Sequence, residues 1–279
     1  MFSSVFGTTV SGVTGSAVIV ETDVSNGLPC LEIVGMPDTS VREAKHRVRS
    51  ALKNSGFEIP SRRIVVNLAP AATHKEGTQL DLSIALGLLA ACREIPQNGI
   101  TEEYGFMGEL ALDGTIRPIP GVLAMVLALY ELGLKGAVVP FENYKEAAFL
   151  EQFNVLAASN ISEVVDFILG KKELARDSRL NCCLEKDPKR DLSYDHIKGH
   201  LAAKRALEIA AAGEHNLLIV GPPGAGKTVL AKSLPEIMPD LSYEESIVVT
   251  KIHSIAGLLP NGSGLLKTRP FRSPHHTVT

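Results

Sequence analysis

The chain has 279 residues, 45% of them hydrophobic and 21% charged, which is enough for two domains with cores of their own. A net charge of −3 excludes an overall basic protein, so any nucleic-acid surface has to be local. Cys30, Cys92, Cys182 and Cys183 form no CxxC pair and have no histidines at zinc-ligand spacing, and the apolar run 82–92 is too short to span a bilayer. Met1–Val5 lacks the basic segment and apolar run of a signal peptide, so a reducing, cytoplasmic setting with no membrane part is expected. Residues 17–24 and 31–34 have strand patterning, and Ser25-Asn26-Gly27 between them predicts a hairpin. Asp38 or Thr39 can cap a helix with Val41, Ala44, Val48, Ala51 and Leu52 on one face, ended by Gly56. Its other face carries Arg42, Lys45, His46, Arg47, Arg49 and Lys53, which with Arg62 and Arg63 make a candidate contact for a nucleic-acid backbone, diluted by Glu43 and Glu58.

Further along, 64–68 reads as a strand and 80–92 as a helix buried on most sides. A β ribbon is predicted over 105–119, turning at Asp113-Gly114. Then come a helix over 122–132, strands at 137–139 and 155–158, and helices near 144–150 and 164–169, an alternation that points to a layered α/β domain. Eleven of the twenty residues in 171–190 are charged, which predicts a solvated linker. The second domain opens near Asp191 with a helix over 202–212 ended by Gly213. Ser242 and Glu245 form a capping box for a helix running toward Ile255. His275-His276 lacks a third ligand and reads as a loop pair rather than a metal site.

Between those helices lies the stretch with the clearest chemistry. Leu217–Val220 reads as a short buried strand, and Gly221, Pro222, Pro223, Gly224, Ala225, Gly226, Lys227 and Thr228 fit the phosphate-binding pattern G-x-x-x-x-G-K-[ST] in full. The glycines let successive N–H groups point at phosphate oxygens. Lys227 is placed to meet the β and γ phosphates of ATP, and the Thr228 hydroxyl to ligate Mg²⁺. Residues 229–236 continue as a helix, whose N-terminus favours anions. No apolar run ending in Asp-Glu follows Thr228, so the acidic strand such an ATPase needs is expected to lie outside these residues, leaving nucleotide bound but not turned over.

Ile197-Lys198-Gly199, Ala203–Gly213 and Gly221–Thr228 resemble the AAA+ module of Mg-chelatase-like proteins, most closely those of the ComM/YifB family. Arg269–Thr277 is similar to that family's segment ahead of its Walker B strand. The resemblance implies a nucleotide with Ile197 beside the adenine; the family usually has Gln after Gly199, where this chain has His200. Lys75-Glu76-Gly77, Leu82–Leu89, Gly108-Glu109, Pro118–Gly121 and Pro140–Asn143 resemble the family's first domain, which is similar to the proteolytic domain of Lon. The fold implied is α/β in class: an α+β domain like the second domain of ribosomal protein S5 over 1–170, a linker over 171–190, and over 191–279 the first part of an AAA+ α/β module. Aligned on the protease pattern, the nucleophile position holds Gln79 and the lysine position Met125. An amide and a thioether cannot serve as nucleophile and base, and the nearby Ser83 lacks a base, so no peptidase is expected and no catalytic residue is assigned. By resemblance, the activity is that of a hexameric ATP-driven motor acting on DNA in branch migration or natural transformation. A metal-chelatase ATPase subunit and a non-catalytic nucleotide- and partner-binding fragment are the alternatives.

Overall fold

The computed structural model describes residues 1–175, 194–260 and 262–274. Cys182, Cys183, His275-His276 and most of the predicted linker lie outside the described residues. The described residues fall into two compact units, one within Met1–Cys183 plus Val249–Leu265 and one within Leu184–Val248 plus Leu266–Thr279.

The first unit is built on nine strands: β1 (Phe2–Ser11), β2 (Thr14–Ser25), β3 (Cys30–Val34), β4 (Arg63–Ala69), β5 (Tyr104–Phe106), β6 (Glu109–Leu110), β7 (Ile116–Arg117), β8 (Gly136–Pro140) and β9 (Asn154–Ala158). Seven of these form one sheet in the order β3-β4-β2-β1-β5-β8-β9, in which β2 alone runs antiparallel to its neighbours; β6 and β7 make a separate ribbon. The fold is therefore mixed α/β with a mostly parallel sheet. The helices of this unit are α1 (Thr39–Asn54), α2 (Asp81–Ala91), α3 (Gly99–Glu103), α4 (Val122–Glu131), α5 (Tyr144–Ala147) and α6 (Ile161–Ile168).

Period-two alternation sorts the strand side chains between two cores. Val18, Val20, Ile64, Val66 and Leu68 pack with α1, α2 and α6 on one face, while Ala137, Val139, Val155 and Ala157 pack with α4 and α5 on the other. Helix α1 is amphipathic and capped as its sequence predicts: Asp38 Oδ1 accepts from Val41 N at 2.7 Å, and Val41, Ala44, Val48, Ala51 and Leu52 are buried. Every residue of α2 is buried. Helix α4 crosses β2 so closely that a β-carbon on Gly15 would stand 2.2 Å from Ala124 O, which only glycine permits.

One expectation needs correcting. Residues 17–24 and 31–34 do not form a hairpin, because β4 inserts between β2 and β3 and pairs with both. The hairpin in this region is β1–β2, turning at Gly12-Val13, with Gly12 at φ 61°. The Asn26-Gly27 signal marks a change of direction, but the partner strand arrives from some thirty residues further on.

In the second unit the described elements are α7 (Leu201–Gly213) and α8 (Lys227–Ile237), with the start of α9 (Tyr243–Ile255), whose end falls in the Val249–Leu265 part of the first unit. The capping box of α9 is present: Ser242 N donates to Glu245 Oε2 at 2.9 Å and Glu245 N to Ser242 Oγ at 3.2 Å.

Candidate nucleotide-binding site

The glycine-rich loop leads straight into α8. Gly224 and Gly226 both adopt φ 78°, in the left-handed region where a β-carbon is strained, and Gly226 is the N-terminal boundary residue of the helix. No side chain caps α8, so its first-turn N–H groups are left for another acceptor. Lys227, the first helical residue, turns back over the loop and donates from Nζ to Gly221 O at 2.8 Å and Pro222 O at 2.6 Å. Thr228 is exposed beside it. The arrangement fits a nucleotide phosphate: a helix N-terminus with no side-chain cap, a cation over the loop, and a hydroxyl one residue on that could hold Mg²⁺.

The structure departs from expectation just before the loop. Leu217–Val220 pairs with no strand: Leu218 is 85% and Val220 83% exposed. The side chains still alternate, since Leu217 and Ile219 line a cleft of about 540 Å³ with Leu207, Ala210 and Leu234 while the residues between face solvent. The physical reason is the lack of a ladder, for the described residues of this unit contain no other strand and four residues cannot hold a strand alone.

A 3₁₀ turn at Tyr194–His196 leads to the other predicted contact. Tyr194 N donates to Glu236 Oε2 on α8 at 2.6 Å, and Lys204 Nζ on α7 donates to Tyr194 O at 3.1 Å while lying 4.7 Å from the Tyr194 ring centre. The turn is thus braced against both helices. Ile197 follows it half-buried, its N–H donating to Tyr194 O at 3.3 Å. His200, at the N-terminal boundary of α7, has φ 54° and ψ 36°, a left-handed backbone uncommon for a non-glycine residue. Its Nε2 lies 3.8 Å from where a β-carbon on Gly226 would stand.

On α1 the basic residues do not form one set. Arg42, Lys45, Arg49 and Lys53 are exposed. Arg47 instead forks onto Asp81 of α2, Nε to Oδ2 at 2.7 Å and Nη2 to Oδ1 at 2.9 Å, and also donates to Ser40 O at 3.0 Å. Asp81 is buried, and burial raises its carboxyl above the ordinary range against the opposing pull of Arg47 and of Leu110 N–H. Arg47 is therefore spent on the fold. No local signal joins it to an acid 34 residues away.

At the positions aligned with a protease, Gln79 Nε2 donates to Thr9 Oγ1 at 3.1 Å, Ser83 Oγ donates within its own helix to Leu80 O at 2.9 Å, and Met125 is fully buried. Elsewhere in the first unit, Glu146 Oε1 accepts from Leu123 N at 2.8 Å and from Ser254 Oγ, and Oε2 accepts from Asn143 Nδ2 at 3.2 Å. Burial pushes this carboxyl up, opposed by those three donors. Among the described residues no group of acids, histidines and cysteines is placed to hold a metal ion, and no helix is long and apolar enough to cross a membrane.

A mixed α/β domain, followed by a module in which a glycine-rich loop opens a helix on Lys-Thr, defines a class: an ATPase-type protein of the Mg-chelatase kind. Residues 20–143 match the family model for subunit ChlI of Mg-chelatase, and residues 193–279 match that for magnesium chelatase, subunit ChlI. The chain is 41% identical over 271 residues to YifB of Escherichia coli (strain K12), covering 96% of this chain and 52% of that protein. It is 39% identical over 274 residues to the competence protein ComM of Haemophilus influenzae, covering 96% and 52%. Lon protease 2 of Bacillus subtilis is 27% identical over 147 residues, 50% of this chain and 26% of that protein. The chain belongs to the Mg-chelatase-like family that includes YifB and ComM, and it spans about half the length of those relatives.

Proposed function

We propose that the chain binds ATP with Mg²⁺ through Gly221–Thr228, as the nucleotide-binding part of a cytoplasmic, hexameric AAA+ motor that acts on DNA. In this reading residues 1–170 are a Lon-like domain without peptidase activity, 171–190 a linker and 191–279 the first part of the ATPase module. The observation that carries it is Lys227 on the first turn of α8, its ammonium held at the loop by Gly221 O and Pro222 O. On binding, the loop amides and the α8 N-terminus would meet phosphate oxygens, Lys227 would move from the carbonyls to the β and γ phosphates, and Thr228 would hold the metal. Ile197 is assigned to the adenine side. Bound Mg²⁺ would supply charge neutralisation on the phosphates. Calorimetric titration with ATP-Mg tests this: Lys227→Ala should weaken binding by about tenfold or more, as loss of a charge-assisted contact does, and equal affinity would remove Lys227 from the phosphate site.

The DNA part rests on the relationship to ComM and on the exposed Arg42, Lys45, Arg49 and Lys53 of α1. Phosphate contacts release counterions, so affinity for duplex DNA should fall steeply as salt rises and should drop when Arg49 and Lys53 are replaced by Glu. Anisotropy with neither effect would favour the second reading, a metal-chelatase ATPase subunit, to which the family models point.

A further inference from the structure

We propose that the first unit binds a second copy of itself head to tail, the basic outer stripe of α1 on one copy lying across the bare face of the β3-β4-β2-β1 half-sheet on the other. This names a contact surface for the hexameric assembly in the reading above and rests on that part of it. Helices α1, α2 and α6 cover one face of the sheet, taking Val18, Val20, Val66 and Leu68 into their core. The opposite face is covered only in part. There α4 and α5 pack over β8 and β9 and reach Val10 of β1 and Ala17 of β2. Two residues further along β2, Ile19 is exposed, and so are Phe2 of β1 and Val34 of β3.

Period-two alternation and strand register give this bare face its composition. Phe2, Asp23, Val65 and Glu32 stand in one row across four strands, and Glu21, Asn67 and Val34 in the next. Apolar side chains thus lie among carboxylates. Asp23 and Glu32 are exposed, with the Met1 amine 3.4 Å from Asp23, while the half-buried Glu21 accepts from Asn67 Nδ2 at 2.7 Å. Arg63, at the start of β4, adds a cation at the margin. Such a face repels the phosphates of a duplex. It fits long basic side chains, which lay apolar stems on apolar surface and carry their charge to a carboxylate.

A set of that kind stands on α1. Arg42, Lys45, Arg49 and Lys53 follow one another at three- and four-residue intervals, so they form one exposed stripe about 16 Å long, with Glu43 beside it. Among the described residues none of the four takes part in an ion pair. The stripe cannot reach the acidic face of its own unit, because the sheet lies between them. It can reach that of another copy, and every copy brings both surfaces. Since the two surfaces differ, each copy uses its stripe on one neighbour and its sheet face on the other, the arrangement that closes into a ring or runs on as a filament. The DNA reading draws on the same stripe, so a neighbour and a duplex would compete for it.

Sedimentation equilibrium of the 279-residue chain at low salt, without DNA or nucleotide, tests the contact by charge reversal on each surface. Asp23→Lys with Glu32→Lys makes the sheet face basic, and Arg49→Glu with Lys53→Glu makes the stripe acidic. Each double variant should associate about tenfold more weakly than the wild type or worse, since like charges then meet. An equimolar mixture of the two should associate as tightly as the wild type. In the mixture the intact stripe of one variant meets the intact sheet face of the other, and the reversed surfaces are again opposite in charge. Mixing does not mend a damaged fold, so recovery assigns the loss to these two surfaces. If either double variant associates like the wild type, or the mixture associates no better than its components, the contact is overturned while assembly through other surfaces stands. If the wild type stays monomeric at every concentration, self-association fails and takes this proposal with it.

Discussion

Two apolar runs of similar length meet different fates in this chain. In β8, Ala137, Val138 and Val139 are fully buried, with β5 on one side and β9 on the other. Leu217–Val220 is just as apolar, yet Leu218 and Val220 stand almost wholly in solvent. The difference is not in the residues. A strand is a half-structure that needs neighbours to satisfy its backbone, and the first unit provides them while the described part of the second does not. Apolar patterning shows which environment a segment requires, and topology decides whether that environment is supplied.

The largest effect that bears on this contrast is electrostatic. Arg47→Ala would leave the buried Asp81 without its guanidinium, and the first unit's denaturation midpoint should fall by the equivalent of about 3–5 kcal/mol. Arg49→Ala, two residues on and exposed, should change stability by no more than ~0.5 kcal/mol. Equal effects in the two variants would mean that the Arg47–Asp81 fork is not present in solution.

Next in size is the direct comparison of the two kinds of leucine. Leu68→Ala in β4 removes a fully buried side chain and should cost about 2–5 kcal/mol. Leu218→Ala should be within ~0.5 kcal/mol of the wild type. A cost for Leu218 as large as that for Leu68 would show that Leu217–Val220 is covered in solution and would erase the contrast between the units.

The smallest effect depends on pH. Burial raises the carboxyl of Glu146 above its ordinary 4.5, so the folded state holds the proton more tightly than the unfolded chain does. The resulting stability is complete below pH 4.5 and is lost as pH rises through the folded value. Glu146→Gln mimics the protonated form and should flatten that dependence. Urea titrations of both proteins, stepped upward from pH 4, should show the wild type losing ground to the variant. A constant difference would mean that the carboxyl titrates alike in both states.

Much of the first unit was legible because its signals are local. Asp38 and the spacing of Val41, Ala44, Val48, Ala51 and Leu52 contain the whole of α1, and the unbroken apolarity of 82–91 announces a helix buried all round. The hairpin was misplaced because its supposed strands each pair with β4, a long-range choice that no turn dipeptide encodes. The turn at Gly224 and Gly226 that opens α8 was legible too, since the glycines announce the left-handed backbone that precedes the helix. That Arg47 leaves the basic face for Asp81 is a meeting between distant segments that only the folded chain reveals.

The hold of Lys227 on Gly221 O and Pro222 O has a further consequence. The same ammonium is the tether of the loop and, on the proposed function, the group that meets the incoming phosphate, so nucleotide and loop would compete for one cation. Occupancy would then be registered mechanically: each arrival releases two carbonyls, and each departure gathers them again. An alanine at this position would lose the tether along with the charge, so its ATP affinity measures both together. Lys227→Arg separates the two, because it keeps the charge while replacing a compact ammonium with a planar fork that cannot sit between those carbonyls in the same way.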